Sequence, residues 1–144
     1  IPPAQMVATL KAGTIDGFCV GEPWNSRAVQ EGHGTVIATD TDLWDGHGEK
    51  VLGVREEWAA AHPHTPQALL CALLEACRHC EDPAHRQLLA QLLARPEYVG
   101  TSPAVLLPGL AQAYDRGTGA PALIPGFNRC QGCYRHHAWC SYHG

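Results

Sequence analysis

The densest group of residues that could do chemistry lies at positions 17–25, which read Gly-Phe-Cys-Val-Gly-Glu-Pro-Trp-Asn. A short β-prone run ends at Gly21 and is followed by a helix. Pro23 suits the first turn of that helix. In open α/β sheets, ligands bind beyond the carboxyl ends of the strands, and a helix N-terminus offers unpaired N–H groups to a small anion. The spacing alone favours an ordinary βα turn with a packed tryptophan. An anion site, in which Gly21 admits the ligand and Trp24 forms a wall, is the alternative.

A second candidate is the polar loop at residues 43–50, which ends in Lys50 just before an apolar run. A lysine at the mouth of a sheet can pair with an anion. A lone lysine is by default a solvated surface residue, so the loop alone leaves both interpretations open.

The last residues contain enough thiols and imidazoles for a tetrahedral zinc site, with Cys130, Cys133, His137 and Cys140 as the candidate ligands. The spacing after the Cys-x-x-Cys pair is much shorter than in common zinc fingers. A divergent or truncated end is therefore the stronger interpretation.

Enzymatic interpretations find little support in the sequence. Cys19 could be imagined as a nucleophile with a distant histidine, and Glu56 with Glu57 as an acid/base pair, but neither has a motif behind it. Adjacent acidic residues are typical of a solvated first helical turn. Because there is also no Walker A or dinucleotide fingerprint, we expect a binding protein without a cofactor.

The elements that must position these residues alternate in the first half of the chain. Helical spacing over residues 3–12, with Gly13 as a stop, is followed by a strand-like run, a helix from Pro23 through Val29 closed by Gly32 and Gly34, and two further strand-like runs. The expected strands cover residues 15–20, 35–39 and 50–55. This order predicts an α/β fold with a largely parallel sheet.

The second half is predicted to be helical. Thr65 and Pro66 are a cap and first-turn pair for a helix over 66–80, Pro83 opens a second helix to about Ala94, and Ser102–Pro103 a third to about Tyr114. Pro108 is expected to kink or break the third. The predicted divisions are an α/β portion at 1–60, a helical portion at 61–116 and an irregular tail at 117–144.

Composition narrows the class of protein. The chain has 144 residues and a formal charge of −4, which gives no basic footprint for nucleic acid, and no apolar run approaches the length of a membrane span. Seven cysteines cannot all pair within the chain. Mostly reduced thiols would favour a cytosolic compartment, with Cys77 and Cys80 as buried apolar thiols on a packed helix.

Three runs carry a resemblance to a known family. They are PPAQMVATLKAGTIDGFCVGEPWNSRAV, then LW-x-GH-x-EKVLGV, then a Pro-initiated leucine-rich helix pair followed by RPEYVG. Over about residues 1–118 the chain resembles the nitrate- and bicarbonate-binding proteins of bacterial ABC importers. The resemblance implies the carboxyl half of a two-lobed, periplasmic-binding-protein-like fold (type II), with the 15–20 strand crossing at the hinge and Gly21 and Glu22 near the cleft.

The resemblance also suggests a ligand. In the family, the position of Lys50 separates nitrate binders, which have lysine, from bicarbonate binders, which have glutamate beside a metal ion. Nitrate or nitrite is therefore expected, although Gly48 replaces the usual proline of this loop. Because other ligand residues of the family lie upstream, this chain is expected to carry only part of a site.

Three functions remain open at this stage. The first is the substrate-binding component of an ABC importer, periplasmic or membrane-tethered, which delivers the anion to permease and ATPase subunits. The second is a cytosolic nitrate sensor that controls a regulatory protein, which the unpaired cysteines favour. The third and most remote is a zinc-binding module in the tail.

Overall fold

Seven α-helices and one two-stranded ribbon form the secondary structure of residues 1–44, 51–111, 113–119 and 122–123, which the computed structural model describes. The helices are α1 (Met6–Lys11), α2 (Trp24–Gln30), α3 (Asp40–Leu43), α4 (Glu56–Ala61), α5 (His64–Glu81), α6 (Arg86–Leu93) and α7 (Pro103–Ala111). Strands β1 (Ala113–Tyr114) and β2 (Ala122–Leu123) pair antiparallel, with Ala113 opposite Leu123 and Tyr114 opposite Ala122.

The core is built from one or two side chains of each packed element. Helix α7 packs against α6, α2 and β1, and α1 packs against α2. The buried apolar residues are Val7, Ala28, Leu89, Ala90, Leu106 and Tyr114. Ala90 has no exposed surface, and its small side chain allows α7 to approach α6 closely.

Several helix predictions are confirmed. A 3₁₀ turn at Pro3–Gln5 runs into α1, and Gly13 ends it in the left-handed region with φ of 69°. Helix α2 begins directly after Pro23, and Gly32 follows it with φ of 71°. Only glycine adopts such φ values without strain, which explains why the helices end there. Glu56 and Glu57 lie in the first turn of α4, as expected.

The three predicted strands are wrong for the residues described. Positions 15–20, 35–39 and 51–55 have no regular secondary structure. A strand requires a hydrogen-bonded neighbour along its length. Among the described residues, the middle segment has one backbone hydrogen bond to a distant part of the chain, from Val36 N–H to the Arg116 carbonyl at 2.9 Å. Strand β2 instead lies within the tail that was expected to be irregular.

The second half is helical, with corrected boundaries. Helix α5 begins at His64 rather than at Pro66, so Thr65 lies inside it and Pro63 takes the cap position. A 3₁₀ turn at Pro83–His85 leads into α6 as predicted, whereas α7 continues through Pro108 to Ala111 instead of breaking. None of the helices in the described ranges has both the length and the apolar character that crossing a membrane requires.

The cysteines differ from the packed thiols that were expected. Cys19, Cys71 and Cys80 are exposed and free, and Cys77 is disulfide-bonded. The interpretation of Cys77 and Cys80 as buried apolar thiols is therefore wrong. The reason is that α5 buries no residue, so its face offers no interior for them.

Candidate functional site

The candidate site is built around the turn that leads into α2. Its peptide bond between Glu22 and Pro23 is cis. The Asn25 side-chain amide reaches back from the first turn of α2 and donates to the Val20 carbonyl at 2.7 Å. This bond fixes the backbone on both sides of Gly21 and gives the asparagine of the motif a positioning role.

The Glu22 carboxylate has a partner on each oxygen. Oε1 accepts a hydrogen bond from the Tyr114 hydroxyl at 2.6 Å, across 92 positions of sequence, and Oε2 accepts one from the Ser26 backbone N–H at 3.2 Å. One of the first-turn N–H groups that could have met an anion is thus used by the protein itself. Glu22 joins β1 to α2 and occupies the centre of this corner.

Tyr114 is held as a hydrogen-bond donor. Burial, followed by the adjacent Glu22 carboxylate, raises the pKa of the Tyr114 phenol far above its ordinary value. The phenol therefore stays protonated across the physiological range and donates to Glu22. Within the described residues, the buried Ser26 hydroxyl has no hydrogen-bond partner of ordinary geometry. It lies near the Tyr114 phenol and opposes a small part of the rise in the pKa of that phenol.

An ion pair anchors the chain just beyond Tyr114. Arg116 Nη2 donates to both Asp42 oxygens at 2.8 and 2.9 Å. Asp42 also accepts from the Thr39 backbone N–H at 2.7 Å, in a capping box that begins α3. The Arg116 guanidinium, then the Thr39 donors, hold the pKa of Asp42 well below its usual range. Together these contacts connect α3 to the segment that carries Tyr114.

A cavity of about 880 Å³ lies beside this corner. Its walls are two irregular segments, 16–23 and 33–40, with contributions from α7 and Tyr114. Gly21 and Glu22 belong to the wall. Its lining within the described residues includes His33 but no lysine or arginine, so a lysine or arginine facing a bound anion must come from outside that lining.

The sequence-predicted residues are therefore only partly brought together. Gly21 and Glu22 line the cavity, whereas Trp24, half-buried at the start of α2, is not among the lining residues. Lys50 lies outside the described residues, as do the zinc candidates Cys130, Cys133, His137 and Cys140. In the described ranges, no group of three or more His, Cys, Asp or Glu side chains is arranged to hold a metal ion.

Comparison with known proteins identifies the family. The model of the NMT1-like family matches residues 1–94, which is well over half of the chain. The chain belongs to the NMT1-like family.

Relatives of this NMT1-like chain occur in two kinds of importer protein. It is 56% identical to the nitrate import ATP-binding protein NrtC of Synechocystis over 130 residues, which cover 90% of this chain and 19% of that protein. It is 62% identical to the bicarbonate transport ATP-binding protein CmpC of Synechocystis over 102 residues, 71% of this chain and 15% of CmpC. It is 45% identical to the nitrate/nitrite binding protein NrtA of Synechococcus elongatus over 119 residues, 83% of this chain and 27% of NrtA.

A solved structure supports the fold. The NMT1-like chain matches the periplasmic nitrate-binding protein NrtA from Synechocystis with a TM-score of 0.82 and 32% identity, over 88% of this chain and 33% of that one. The resemblance to nitrate- and bicarbonate-binding substrate-binding proteins is thus confirmed, and the described residues have the fold of part of such a protein. The chain spans at most about a third of the proteins it matches.

Sequence reasoning missed the residues that complete the corner. Tyr114 was placed at the end of a helix, and Ser26 was not singled out. A contact across 92 positions leaves no periodic signal in one sequence. One signal was available in the sequence, namely an acidic residue, Glu22, in an apolar turn bounded by glycine and with no basic residue beside it. A half-buried carboxylate needs hydrogen-bond donors, so such a residue indicates a distant partner.

Proposed function

We propose that this chain supplies part of the binding site for a small oxyanion, nitrate or nitrite, in a substrate-binding protein of an ABC importer. The observation that carries the proposal is the match to a nitrate-binding protein over 88% of the chain at a TM-score of 0.82. Gly21 and Glu22, the residues expected near the cleft, line the described cavity. The protein binds and releases the anion, and no bond is made or broken.

Lys50 supplies the positive charge in this proposal. The sequence has only two lysines, Lys11 and Lys50. Lys11 lies exposed at the end of α1 and is not among the cavity-lining residues. Lys50 follows Asp40, which lines the cavity, by only ten positions. A cation within about 4 Å of an anion contributes on the order of 1–4 kcal/mol between water-like and partly buried surroundings.

We infer a capture mechanism from the two-lobed fold that the resemblance implies. We infer that residues 1–60 contribute part of a cleft between two lobes, and that the helical portion at 61–116 supports it. Closing the lobes around the anion removes water from it and strengthens its contacts with Lys50 and backbone donors. A periplasmic or membrane-tethered location, with permease and ATPase partners, follows from this role.

A second arrangement is favoured by one observation. For Synechocystis, identity is 56% to NrtC and 62% to CmpC but 39% to NrtA. For Synechococcus elongatus, NrtC and NrtA are level at 44% and 45%. The chain could therefore be an anion-responsive part of an ATP-binding importer polypeptide. It has no Walker A motif of its own. The mass and MgATP binding of the purified full-length polypeptide decide between the two arrangements.

Calorimetric titration of the full-length polypeptide with nitrate tests the binding proposal, with bicarbonate plus calcium as the comparison. We expect saturable nitrate binding that Lys50→Glu weakens at least about 100-fold, because the change reverses a charge beside the anion. Lys11→Glu is the matched control, with less than about a twofold effect. Unchanged affinity in Lys50→Glu would remove Lys50 from the site, and preference for bicarbonate with calcium would reassign the ligand.

A further inference from the structure

The Glu22 carboxylate poses a problem for any anion site in this cavity. It belongs to the cavity wall together with the carboxylates of Asp16 and Asp40, and the described part of that wall contains His33 but no lysine or arginine. A carboxylate about 4 Å from a bound anion costs on the order of 1 kcal/mol in water-like surroundings and more where water is excluded. Anion binding in the cavity therefore requires that the Glu22 carboxylate be kept away from the anion.

The hydrogen bonds of Glu22 keep its carboxylate in place. The Tyr114 hydroxyl bonds Oε1 at 2.6 Å and the Ser26 N–H bonds Oε2 at 3.2 Å, so both oxygens are directed at protein donors. The Ser26 donor belongs to the backbone of α2 and is a fixed feature of the helix. The Tyr114 hydroxyl is the side-chain donor that a substitution can remove.

Tyr114 is itself immobilised. The ring is 1% exposed. Two positions later the Arg116 carbonyl accepts from Val36 N–H at 2.9 Å, and its guanidinium bonds Asp42. Gly117 has φ of 77°, and a Cβ there would lie 3.2 Å from the Gly34 carbonyl oxygen, so the chain passes residue 34 at close range. The phenol thus reaches Glu22 from a fixed support.

We infer that Tyr114 is a positioning residue of the oxyanion site: by bonding Glu22 Oε1 it keeps the carboxylate against α2 and away from the anion. The inference rests on the proposed function. Its consequence is that Tyr114 acts through the charge of Glu22, so that removing the charge removes the need for the phenol.

A double-mutant cycle in the full-length polypeptide tests this, with nitrate affinity measured by calorimetry for wild type, Tyr114→Phe, Glu22→Gln and the double variant. We expect Tyr114→Phe to weaken nitrate binding at least about fivefold, because the released carboxylate repels the anion. In the Glu22→Gln background the same change has less than about a twofold effect. Tyr98→Phe removes an exposed hydroxyl and is the matched control, with affinity equal to wild type.

Each other outcome has a distinct meaning. If Tyr114→Phe lowers affinity equally in both backgrounds, Tyr114 acts by structure alone and the inference is wrong. Unchanged affinity in Tyr114→Phe also overturns it, and in both cases the proposed function stands. A wild type that binds neither nitrate, nitrite nor bicarbonate overturns both.

Melting temperatures of all variants are recorded, and Glu22→Asp serves should Tyr114→Phe fail to fold. Its shortened carboxylate withdraws from the phenol, so its affinity is expected at least about fivefold below that of Glu22→Gln, and equal affinities would contradict the inference.

Discussion

The corner around Glu22 and the helix α5 differ in how far the described residues bury and bond their side chains. At the corner, the described residues provide a partner for each Glu22 oxygen and cover Tyr114 to 1% exposure. Helix α5 has 18 residues and buries none of them. Its leucine face, formed by Leu69, Leu70 and Leu73, is 40–43% exposed.

The corner is therefore a region that the described residues stabilise by their own contacts. Helix α5 forms as a helix, but those residues do not pack against its leucine face. The corner is closed by contacts between positions 22, 26 and 114, so its geometry is fixed by the described residues. The leucine face has the spacing of a packed helix, yet the described residues do not cover it. Four experiments test this comparison, from the largest expected effect to the smallest, in the polypeptide that contains this chain.

Tyr114→Ala is expected to have the largest effect on stability. It removes the largest fully buried side chain of the described residues and leaves Glu22 Oε1 without its donor. Loss of a buried aromatic ring lowers the free energy of unfolding by about 3–5 kcal/mol. Urea unfolding measures the loss, and a cost below about 1 kcal/mol would show that the corner is not a centre of stability.

Leu89→Ala and Leu88→Ala compare buried and exposed leucines on one helix. Leu89 is 8% exposed and Leu88 is 58% exposed, while both changes alter helix propensity equally. We expect Leu89→Ala to lower the free energy of unfolding by about 2–4 kcal/mol and Leu88→Ala by less than about 1 kcal/mol. Equal losses in denaturant titrations would contradict the described packing of α6.

Asp42→Asn tests the ion pair that supports the corner through its pH dependence. The pKa of Asp42 is lowered in the folded protein, so its contribution to stability is complete above the unfolded pKa and is lost as pH falls toward the folded value. The stability difference between wild type and Asp42→Asn should be constant above about pH 5 and shrink below about pH 4.

Thermal unfolding between about pH 2 and 7 measures this difference. Asp16→Asn, at an exposed carboxylate, is the control and should show a much weaker trend. A difference for Asp42→Asn that stays constant throughout would mean that the Arg116 contact does not persist in solution.

Leu70→Gln should have the smallest effect. Leu70 is 43% exposed, and glutamine keeps a similar helix propensity. The expected change in the free energy of unfolding is less than about 1 kcal/mol. A loss of 2 kcal/mol or more would show that another part of the polypeptide covers the leucine face, which would sharpen the contrast with the corner.

Local signals in the sequence predicted most of the helices. Helices α1 and α2 end near the glycines that were expected to stop them, and the acidic pair at 56–57 lies in the first turn of α4. These features depend on neighbouring residues only. The error at Thr65 is a shift of two residues at a helix end, and Pro66 still lies in the first turn, where proline is tolerated. Helix α7 continues through Pro108 because its packing against α6 and α2 offsets the cost of the proline.

Features that depend on distant partners could not be predicted in the same way. The strand-like runs at 15–20 and 35–39 have the composition of strands, but composition does not provide the neighbouring strand that a ladder needs. Likewise the motif at 17–25 indicated the turn, and its Gly21 and Glu22 do line the cavity. The role of Glu22 became visible only with Tyr114, 92 positions away.

Hydrogen–deuterium exchange with and without nitrate tests the central claim most directly, because it measures the corner and α5 in one experiment. The account predicts slower exchange across residues 17–27 when nitrate is bound, and no change across α5. Exchange that is unchanged at 17–27, or slowed in α5 alone, would contradict the placement of the oxyanion site at the Glu22 corner.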